Sequence, residues 1–295
     1  VGIFSRAKVS QAEKNAIKKS VISLKHRGPN HSGYYFSKNL CFGHTRLSII
    51  DIQGGSQPMF LLKRFSIVYN GEIINYKKLK QELITSFNHT FYSKSDTDVI
   101  LASYYYYGSS CVKNFEGMFS FVIYDNLKNE LFMARDNFGI KPLYYYYDEK
   151  KIIFSSELNQ FKFFDIFKKQ FNNIQIINEF LVHGYIVGKK TIFNKINKLL
   201  PGQIIKVYLD KKKIQIKKIE KDKNNYNFSK NNYSLENLDN LLEETIKLWT
   251  TADVDLSLFL SGGVDSSLLA YYLKKINKRI DTYSYFYDSD DKFFN

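Results

Sequence analysis

Cysteine is scarce in this 295-residue sequence, which contains only Cys41 and Cys111. Two cysteines are too few for a disulfide framework, so the class of small, disulfide-stapled secreted domains is excluded. Long apolar runs are missing too, because no stretch approaches the roughly 20 apolar residues of a membrane-spanning helix. No signal peptide opens the sequence. These absences favour a protein of the reducing cytoplasm without a membrane partner.

Positive charge is abundant, but it is not concentrated in one place. The formal net charge is +14, while 44% of the residues are hydrophobic and 17% are aromatic. The excess comes from lysines spread along the chain, and no Lys/Arg cluster is interleaved with aromatic residues on one element, as a nucleic-acid interface would require. We therefore expect no nucleic-acid partner, and nucleic-acid binding stays the minor alternative. The length and the apolar content suit two globular domains.

Residues 30–210 show mostly alternating or short apolar runs, a pattern typical of β-strands. Two stretches, 75–84 and 97–107, have helical patterns instead, so we expect layers of sheet and helix. The clearest strand candidates are LCFGHTRLSII (40–50), FSIVYNG (65–71), MFSFVIYD (118–125) and ELFMARD (130–136).

Residues 211–233 are rich in lysine and asparagine and lose the apolar periodicity of the preceding region. A polar segment of this kind is typical of a linker between domains. We therefore expect a first domain over residues 1–210, a linker over 211–233 and a second domain over 234–295.

The second domain opens with Ser234, a suitable N-cap for a helix whose apolar residues recur at spacings of three and four. A strand (254–260), a helix (266–276) and another strand (281–287) follow, and this order predicts a βαβ unit. The sequence FLSGGVDSS (259–267) occupies its strand-to-helix turn. Free amides at such a helix N-terminus favour a phosphate group. A glycine turn without a ligand is the alternative.

Each residue type in this turn has a use at a phosphate site. Gly262 and Gly263 can take backbone angles closed to other residues and can let a ligand approach the amides. Asp265 either holds a magnesium ion bound to the phosphates or caps the helix. The turn is not a Walker loop, which needs a lysine before the Ser/Thr. Three serines add hydroxyl donors: Ser261, Ser266 and Ser267.

The turn SGGVDSS resembles the pyrophosphate-binding loop of enzymes that split ATP into AMP and pyrophosphate. The preceding region resembles one subgroup of these enzymes, the glutamine-dependent asparagine synthetases, through a series of motifs in the family's order. These motifs are HRGPN (26–30), GHTRLSIID (43–51), GSQPM (55–59), YNGEIINY (69–76), SDTDVI (95–100), FEGMFSFVIYD (115–125), ARDNFGIKPLYY (134–145), FSSEL (154–158) and LPGQ (200–203).

The resemblance implies an α+β N-terminal-nucleophile hydrolase fold, a four-layered α/β/β/α sandwich, followed by the beginning of an α/β adenine-nucleotide-binding domain. It implies an ATP-dependent ligase in which ammonia from glutamine amidates aspartate that ATP has activated as β-aspartyl-AMP. The implied small-molecule partners are glutamine, aspartate and ATP, and the implied metal is Mg²⁺. Whether the protein forms a homodimer is left undecided. Two alternatives remain: an amidotransferase for a sugar acid or another carboxylate, and a non-catalytic homologue.

The resemblance also assigns roles in the first domain. Asn70, through its side-chain amide, and Gly71, through its backbone N–H, stand where the family stabilises the oxyanion. Arg46 stands where the family binds the glutamine carboxylate, and Asp96 and Glu72 stand where it receives the α-ammonium or neighbouring groups. Taken alone, Arg46 or Asp96 would more often form a surface ion pair, and Asn70–Gly71 a hairpin turn. The remaining implied glutamine-binding positions are Leu47, Ser48, Ile49 and Ile50.

In the second domain the resemblance implies an ATP site and, at Asp265, a Mg²⁺ ion held through the pyrophosphate. The implied ATP-binding residues are Leu260, Ser261, Gly262, Gly263, Val264, Asp265, Ser266, Ser267 and Tyr285.

Two departures from the family pattern bear on this assignment, one at Asn30 and one at the start of the sequence. HRGPN has Asn30 where the family usually has Asp, which removes a charge but leaves the loop. The family nucleophile is an N-terminal cysteine whose own α-amine is the base. Aligning Val1–Phe4 with the family's opening CGI replaces that cysteine by valine. Aligning it with the second half of CGIxGI puts the cysteine three residues before Val1; the spacing to HRGPN favours this second alignment. We expect the sequence to be part of a longer protein, and Cys41 and Cys111 to be packed thiols.

Overall fold

The computed structural model describes residues 1–166, 174–219, 234–276 and 279–285. The chain divides into two compact units, Val1–Lys221 and Asp222–Asn295. None of the helices within the described ranges combines the length and the apolar character that crossing a membrane requires.

The first unit is built from strands and α-helices that alternate irregularly along the chain. The strands in its described residues are β1 (Gly2–Ser5), β2 (His31–Phe36), β3 (Leu40–Arg46), β4 (Met59–Leu61), β5 (Phe65–Ile73), β6 (Gly117–Asp125), β7 (Glu130–Arg135), β8 (Tyr144–Tyr147), β9 (Lys151–Ser155), β10 (Ile196–Lys198), β11 (Gln203–Tyr208) and β12 (Lys213–Lys218). The α-helices are α1 (Gln11–Ser23), α2 (Tyr76–Phe87), α3 (Asp96–Tyr107) and α4 (Ile174–His183).

These strands form two antiparallel six-stranded sheets. The first has the order β10-β8-β9-β1-β3-β2 and the second the order β12-β11-β7-β6-β5-β4. Phe42 of the first sheet and Val122 of the second belong to one buried apolar cluster, which fills the space between the sheets. The outer face of the first sheet packs on α1 through Ile17, and that of the second packs on α2 and α3 through Leu83 and Val99. The layers therefore follow the order α/β/β/α.

Local sequence explains the helices of this unit. α3 begins after Ser95, whose hydroxyl accepts a hydrogen bond from the Thr97 N–H, and α2 buries residues spaced at helical intervals. Both helices were predicted. α1 was not predicted, although Ser10 and Glu13 form a capping box before it, with Ser10 Oγ accepting from the Glu13 N–H at 3.2 Å. The capping box was the available signal for this helix.

The predicted linker begins too early. Lys213–Lys218 forms strand β12, which pairs antiparallel with β11 and places Ile214 opposite Val207 and Ile216 opposite Ile205. Only two apolar residues occur in this strand, because it lies at the edge of its sheet and most of its side chains are exposed. Lysines on an edge strand also hinder pairing with other chains. Residues 220–233, the rest of the predicted linker, lie outside the described residues.

The second unit contains α5 (Leu235–Trp249), β13 (Ser257–Phe259), α6 (Val264–Lys275) and β14 (Asp281–Tyr283). The pairing of β13 and β14 is parallel, so the predicted βαβ unit is confirmed over the described residues. Ser234 caps α5 by accepting a hydrogen bond from the Asn237 N–H at 3.0 Å, as predicted. The end of the predicted second strand, residues 286–287, lies outside the described residues.

Candidate active site

One cavity of the first unit gathers nearly all of the predicted glutamine-binding residues. Its volume is about 290 Å³, and its wall is formed mainly by β3, the loop after it, β5 and the start of α3. Three of the sequence motifs, which are far apart along the chain, therefore meet at one site. The predicted residues in its wall are Arg46, Leu47, Ile49, Ile50, Asn70, Gly71, Glu72 and Asp96.

Ser48 is the predicted residue that does not line the cavity. Its backbone N–H donates instead to Asn30 Oδ1 at 3.0 Å, and the N–H of Asn30 donates to the carbonyl of Arg46 at 3.1 Å. In the contact with Ser48, the neutral side-chain amide oxygen of Asn30 is the acceptor. The replacement of the family's usual Asp by Asn30 therefore leaves the loop beside Arg46 intact, as expected.

The guanidinium of Arg46 is positioned by backbone carbonyls. Nη1 donates to Ile52 O at 2.9 Å, and Nη2 donates to Ile50 O at 3.0 Å and Asp51 O at 2.6 Å. Burial lowers the pKa of Arg46, whereas the charges of Asp51 and Asp96 act to raise it. Because the residue is only 6% exposed, the alternative of a surface ion pair is wrong for Arg46.

Asn70 and Gly71 lie inside β5, so the alternative of a hairpin turn is wrong. They pair with Ser120 and Phe119 of β6. Gly71 has a φ of +148°, and a Cβ atom there would lie 2.1 Å from the carbonyl oxygen of Met118, so only glycine fits. The Nδ2 atom of Asn70 is buried and has no hydrogen-bond partner in the described part of the chain. An N–H donor left in this state is costly unless a ligand accepts from it.

The edge of β5 that faces away from β6 is open beside the cavity. β4 covers this edge only at Phe65–Ile67. Further along, Tyr69 and Ile73 donate their N–H groups to side-chain oxygens at 2.7 and 3.0 Å. In an antiparallel strand, the backbone groups of every second residue point to the same edge. Gly71 lies between these two residues in that alternation, so its N–H also points to the open edge.

Tyr69 was not singled out from the sequence, yet it positions the backbone before Asn70. Its N–H donates to Gln57 Oε1 at 2.7 Å, its carbonyl accepts from His44 Nε2 at 2.9 Å, and its hydroxyl donates to Asp96 Oδ2 at 2.8 Å. Gln57 and His44 belong to the motifs GSQPM and GHTRLSIID. The motifs therefore marked these residues, but the contacts between distant segments could not be inferred from them.

Asp96 begins α3 with a buried carboxylate. Its Oδ2 accepts from the hydroxyl of Tyr69 and the N–H of Ile73, and its Oδ1 accepts from the hydroxyl of Ser95 at 3.4 Å. Burial raises the pKa of Asp96, although these hydrogen bonds act in the opposite direction. The alternative of a surface ion pair is therefore wrong here too. A buried carboxylate at a cavity wall is suited to receive an ammonium group.

Glu72 and Lys141 add a second pair of charges to the wall. Burial raises the pKa of Glu72 and lowers that of Lys141, while each opposite charge favours the ionised form of the other. The charge of Asp96 further raises the pKa of Glu72. Lys141 lies in the motif ARDNFGIKPLYY, but sequence reasoning gave it no role.

A smaller cavity of about 70 Å³ has Val1, His44 and Asn70 in its wall. Val1 therefore lies near Asn70. The backbone nitrogen of Val1 donates to Gly43 O at 3.0 Å.

Strand alternation fixes which face the side chains beside Val1 occupy. Val1 packs on the cluster that contains Ile3 and Ile17, on the α1 side of the first sheet. Phe4 packs between the two sheets. Because side chains alternate, a residue three positions before Val1 would share the face of Phe4. The register that pairs Gly2 with Phe42, continued outward, would set that residue opposite Arg46.

Both cysteines are buried free thiols, which confirms their interpretation as packing residues. Burial raises the pKa of Cys41 to about 11 and also raises the pKa of Cys111. A thiol with a raised pKa is a poor nucleophile at neutral pH. Neither residue lines the two cavities described above.

In the second unit, serine hydroxyls organise the turn between β13 and α6. The N–H of Ser261 donates to Ser266 Oγ at 3.3 Å, and the two hydroxyl oxygens lie 3.1 Å apart. Gly262 has a φ of +78°, whereas Gly263 has a φ of −72° and a ψ of 164°. Of the two glycines, therefore, Gly262 adopts an angle that residues with a side chain rarely take, and Gly263 does not.

Asp265 lies in the first turn of α6, whose N-cap is Gly263. No side chain makes a capping hydrogen bond in this described turn, so the alternative role of Asp265 as the cap is wrong. Val264 and Tyr285 are 83% and 81% exposed. Leu260 donates its N–H to Tyr283 O at 2.9 Å, which extends the parallel pair towards the turn. Within the described ranges, no group of three or more His, Cys, Asp or Glu residues could hold a metal ion.

Comparisons with known proteins agree with this division of the chain. Residues 1–219 match a glutamine amidotransferase domain family, and residues 237–293 match an asparagine synthase family. Asparagine synthetase [glutamine-hydrolyzing] 3 of Bacillus subtilis is 30% identical over 291 residues, covering 96% of this chain and 47% of that protein. Asparagine synthetase B of Escherichia coli is 31% identical over 282 residues, covering 94% and 45%. The chain spans about half the length of these curated relatives.

A solved structure shares the fold. The glutamine phosphoribosylpyrophosphate amidotransferase of Bacillus subtilis aligns with a TM-score of 0.51 and 15% identity, covering all of this chain (100%) and 67% of that one. At this identity the likeness shows the fold alone, and the two-sheet, four-layered first unit is the N-terminal-nucleophile hydrolase sandwich that was predicted. With residues 1–219 matched by the family model, the chain belongs to the glutamine amidotransferase domain family.

Proposed function

We propose that the cavity of the first unit binds L-glutamine, and that the protein acts in glutamine-dependent asparagine synthesis. One observation carries the proposal: the buried, unpaired amide donor of Asn70 shares a cavity with the guanidinium of Arg46 and the carboxylate of Asp96. L-glutamine offers a matching carboxylate, ammonium and carboxamide. The names of the matched relatives support the same reaction.

The chemistry of each wall residue suits one group of glutamine. Arg46 would bind the α-carboxylate by charge-assisted hydrogen bonds, and Asp96 and Glu72 would receive the α-ammonium. The side chain of Asn70 and the N–H of Gly71 would stabilise the oxyanion that forms when the carboxamide is attacked. Losing one such donor typically raises the barrier by about 3 kcal/mol.

The nucleophile in this proposal is a cysteine three residues before Val1, with its α-amine as the base. Attack of its thiolate on the carboxamide forms a C–S bond, and collapse of the tetrahedral intermediate breaks the C–N bond and releases ammonia. Water then hydrolyses the thioester to glutamate. The direction of the Val1 side chain, away from the face that bears Phe4, favours this position over Val1 itself.

For the second unit we propose that the turn at residues 260–267 binds the pyrophosphate part of ATP. The positive φ of Gly262 and the absence of a side-chain cap on the described part of α6 leave N-terminal amides directed at the turn, which suits a phosphate. ATP would activate the β-carboxylate of aspartate, and ammonia would displace AMP. Asp265 is one carboxylate beside this turn, and a Mg²⁺ ion there would depend on phosphate oxygens for further ligands.

Isothermal titration of this chain with L-glutamine tests the first part of the proposal. We expect binding that Arg46→Lys weakens more than tenfold, because an ammonium cannot reproduce the fork of a guanidinium. Arg64→Lys is the matched control: Arg64 forms a two-pronged pair with Asp125, at 2.9 and 2.7 Å, outside the cavity. Absence of L-glutamine binding to the unchanged chain would contradict the proposal and favour a non-catalytic homologue.

Two variants test the position of the nucleophile. One adds Cys-Gly-Ile before Val1 with a free α-amine, and the other is Val1→Cys. We expect ammonia release from glutamine by the extended chain alone, because only its added cysteine would share the face of the first sheet that bears Phe4. Activity of Val1→Cys, with none in the extended chain, would instead support the alignment in which Val1 occupies the cysteine position.

Pyrophosphate titration, followed by NMR of the backbone amides, tests the second unit. We expect the largest shifts at Gly263 and the first turn of α6, and weaker shifts in a Ser261→Ala, Ser266→Ala double variant. In an enzyme with a complete synthetase domain, the nucleotide products discriminate further, since this chemistry forms AMP and pyrophosphate. ADP as the main product would contradict the assignment, and no asparagine from aspartate would favour a different carboxylate acceptor.

A further inference from the structure

Two buried polar atoms of complementary type are unpaired in the wall of the glutamine cavity. In the described residues, three buried side-chain polar atoms lack a hydrogen-bond partner: His44 Nδ1, Asn70 Nδ2 and His89 Nε2. His44 and Asn70 both line the larger and the smaller cavity, whereas His89 lines neither. A buried unpaired atom is costly, so its presence in a cavity wall indicates a ligand atom that completes it.

The hydrogen bond on the other side of the imidazole fixes what His44 can offer. Its Nε2 lies 2.9 Å from the carbonyl oxygen of Tyr69, and a carbonyl only accepts, so Nε2 carries the proton. Burial lowers the pKa of His44 to about 3, and the ring is therefore neutral at physiological pH. Nδ1 then has a lone pair and no hydrogen. It is an acceptor, while Asn70 Nδ2 is a donor.

The hydrogen bond from His44 to Tyr69 also links the strand that carries the acceptor, His44 Nδ1, to the strand that carries the donor, Asn70 Nδ2. Tyr69, whose carbonyl receives the His44 hydrogen bond, directly precedes Asn70 in β5. His44 belongs to β3 of the first sheet and Asn70 to β5 of the second. The acceptor and the donor are therefore held from opposite sheets, by strands that the Tyr69 contact joins.

We propose that His44 Nδ1 and Asn70 Nδ2 together recognise the carboxamide of the substrate, so that His44 determines the preference for glutamine over glutamate. The amide oxygen accepts from Asn70, and the amide NH₂ donates to His44. A glutamate γ-carboxylate has no hydrogen to donate, and its lone pairs would face that of Nδ1. The proposal rests on the glutamine site proposed above and adds a specificity-determining residue to it.

Two substitutions of His44 separate its two ring nitrogens. In His44→Gln the side-chain amide reaches the position of Nε2, so it can still donate to Tyr69, but no acceptor remains at Nδ1. In His44→Asn the shorter side chain puts an amide oxygen near the position of Nδ1, and the contact with Tyr69 is lost. Titration of each chain with L-glutamine and L-glutamate gives the ratio of the two dissociation constants.

We expect His44→Gln to reduce the preference for glutamine about tenfold, the effect of one buried hydrogen bond of about 1.4 kcal/mol. His44→Asn should keep the preference within about threefold, even though both ligands bind more weakly. A purely structural role of His44 would weaken both ligands equally and leave the ratio unchanged. His89→Gln is the matched control and should change neither constant.

The outcomes distinguish this inference from the proposal beneath it. A normal preference for glutamine in the unchanged chain, retained in full by His44→Gln, would overturn the role of His44 and leave the glutamine site standing. Failure of the unchanged chain to bind glutamine would overturn both. A preference lost in His44→Gln and kept in His44→Asn would support the proposed carboxamide recognition.

Discussion

Gly71 is the position where a single methyl group tests the site most directly. Its φ of +148° is rarely adopted by residues with a side chain, and an added Cβ would lie 2.1 Å from Met118 O and 2.7 Å from Phe119 Cα. Both neighbours are backbone atoms of β6, which pairs with β5 on one side and β7 on the other. Gly71→Ala therefore forces β5 and β6 apart or twists the peptide that carries the proposed oxyanion donor.

The expected loss of stability has two parts. The unfavourable φ costs about 1–3 kcal/mol, and overpacking against a fixed backbone costs about 1–3 kcal/mol more. We therefore expect Gly71→Ala to lower the free energy of unfolding of the first unit by about 2–6 kcal/mol. Gly108→Ala is the matched control, because Gly108 has a φ of +56° and nothing within 4 Å of the added Cβ. Only the backbone cost, about 1–3 kcal/mol, applies there.

Amide hydrogen exchange in β5 and β6 is the suitable measurement. The single tryptophan, Trp249, lies in α5 of the second unit, so its fluorescence would not report directly on the first unit. Protection of β5 and β6 amides gives the opening free energy of the relevant strands. If Gly71→Ala and Gly108→Ala differ by less than about 1 kcal/mol, the fit of glycine between β5 and β6 is not as described.

Three further substitutions probe the cavity. Burial raises the pKa of Asp96, so its ionised form disfavours folding at pH 7. Asp96→Asn should therefore maintain or raise the stability measured by urea unfolding, while weakening L-glutamine binding more than tenfold. Unchanged binding would contradict the proposed role of Asp96 in receiving the α-ammonium. The pKa of His44 is about 3 in the folded protein and 6.5 ordinarily, so the unfolded chain binds a proton first as the pH drops. The free energy of unfolding should therefore fall between pH 6.5 and pH 3. Urea titrations should show a smaller fall for His44→Gln. In Gly55→Ala the added Cβ would lie 2.2 Å from Arg46 Nη2. This substitution should displace the guanidinium and weaken glutamine binding about tenfold. An unchanged affinity in calorimetry would count against the proposed position of the Arg46 guanidinium.

Sequence reasoning succeeded where one motif carried both an element and a function. The alternation of apolar residues predicted β3 and β5, and the family motifs within them marked Arg46, Asn70 and Gly71. α1 and β12 were missed because their apolar content is low. α1 buries only one stripe, on the first sheet, and β12 is an edge strand with lysines among its exposed residues.

The contacts that position the site could not be predicted from the sequence. His44, Gln57 and Asp96 all bond to Tyr69, but they lie 25, 12 and 27 residues from it. Such contacts depend on which strands pair and in which register, and a linear pattern does not contain that information. The same limit explains Gly263: sequence marks two glycines, but only the backbone shows that Gly262 alone takes the positive φ.

The cavity combines features that each oppose stability, and this combination argues for a ligand. Asn70 Nδ2 and His44 Nδ1 are buried without partners in the described structure, and Asp96 is a carboxylate that burial disfavours. An unpaired buried polar atom costs about 1–3 kcal/mol, a large share of a domain's 5–15 kcal/mol of stability. The cavity wall keeps two such atoms and a buried charge despite this cost. Bound L-glutamine would satisfy all three, through its carboxamide and its α-ammonium. Proteins break local rules of this kind mainly at functional sites, where the groups that destabilise the free protein are those that bind its substrate.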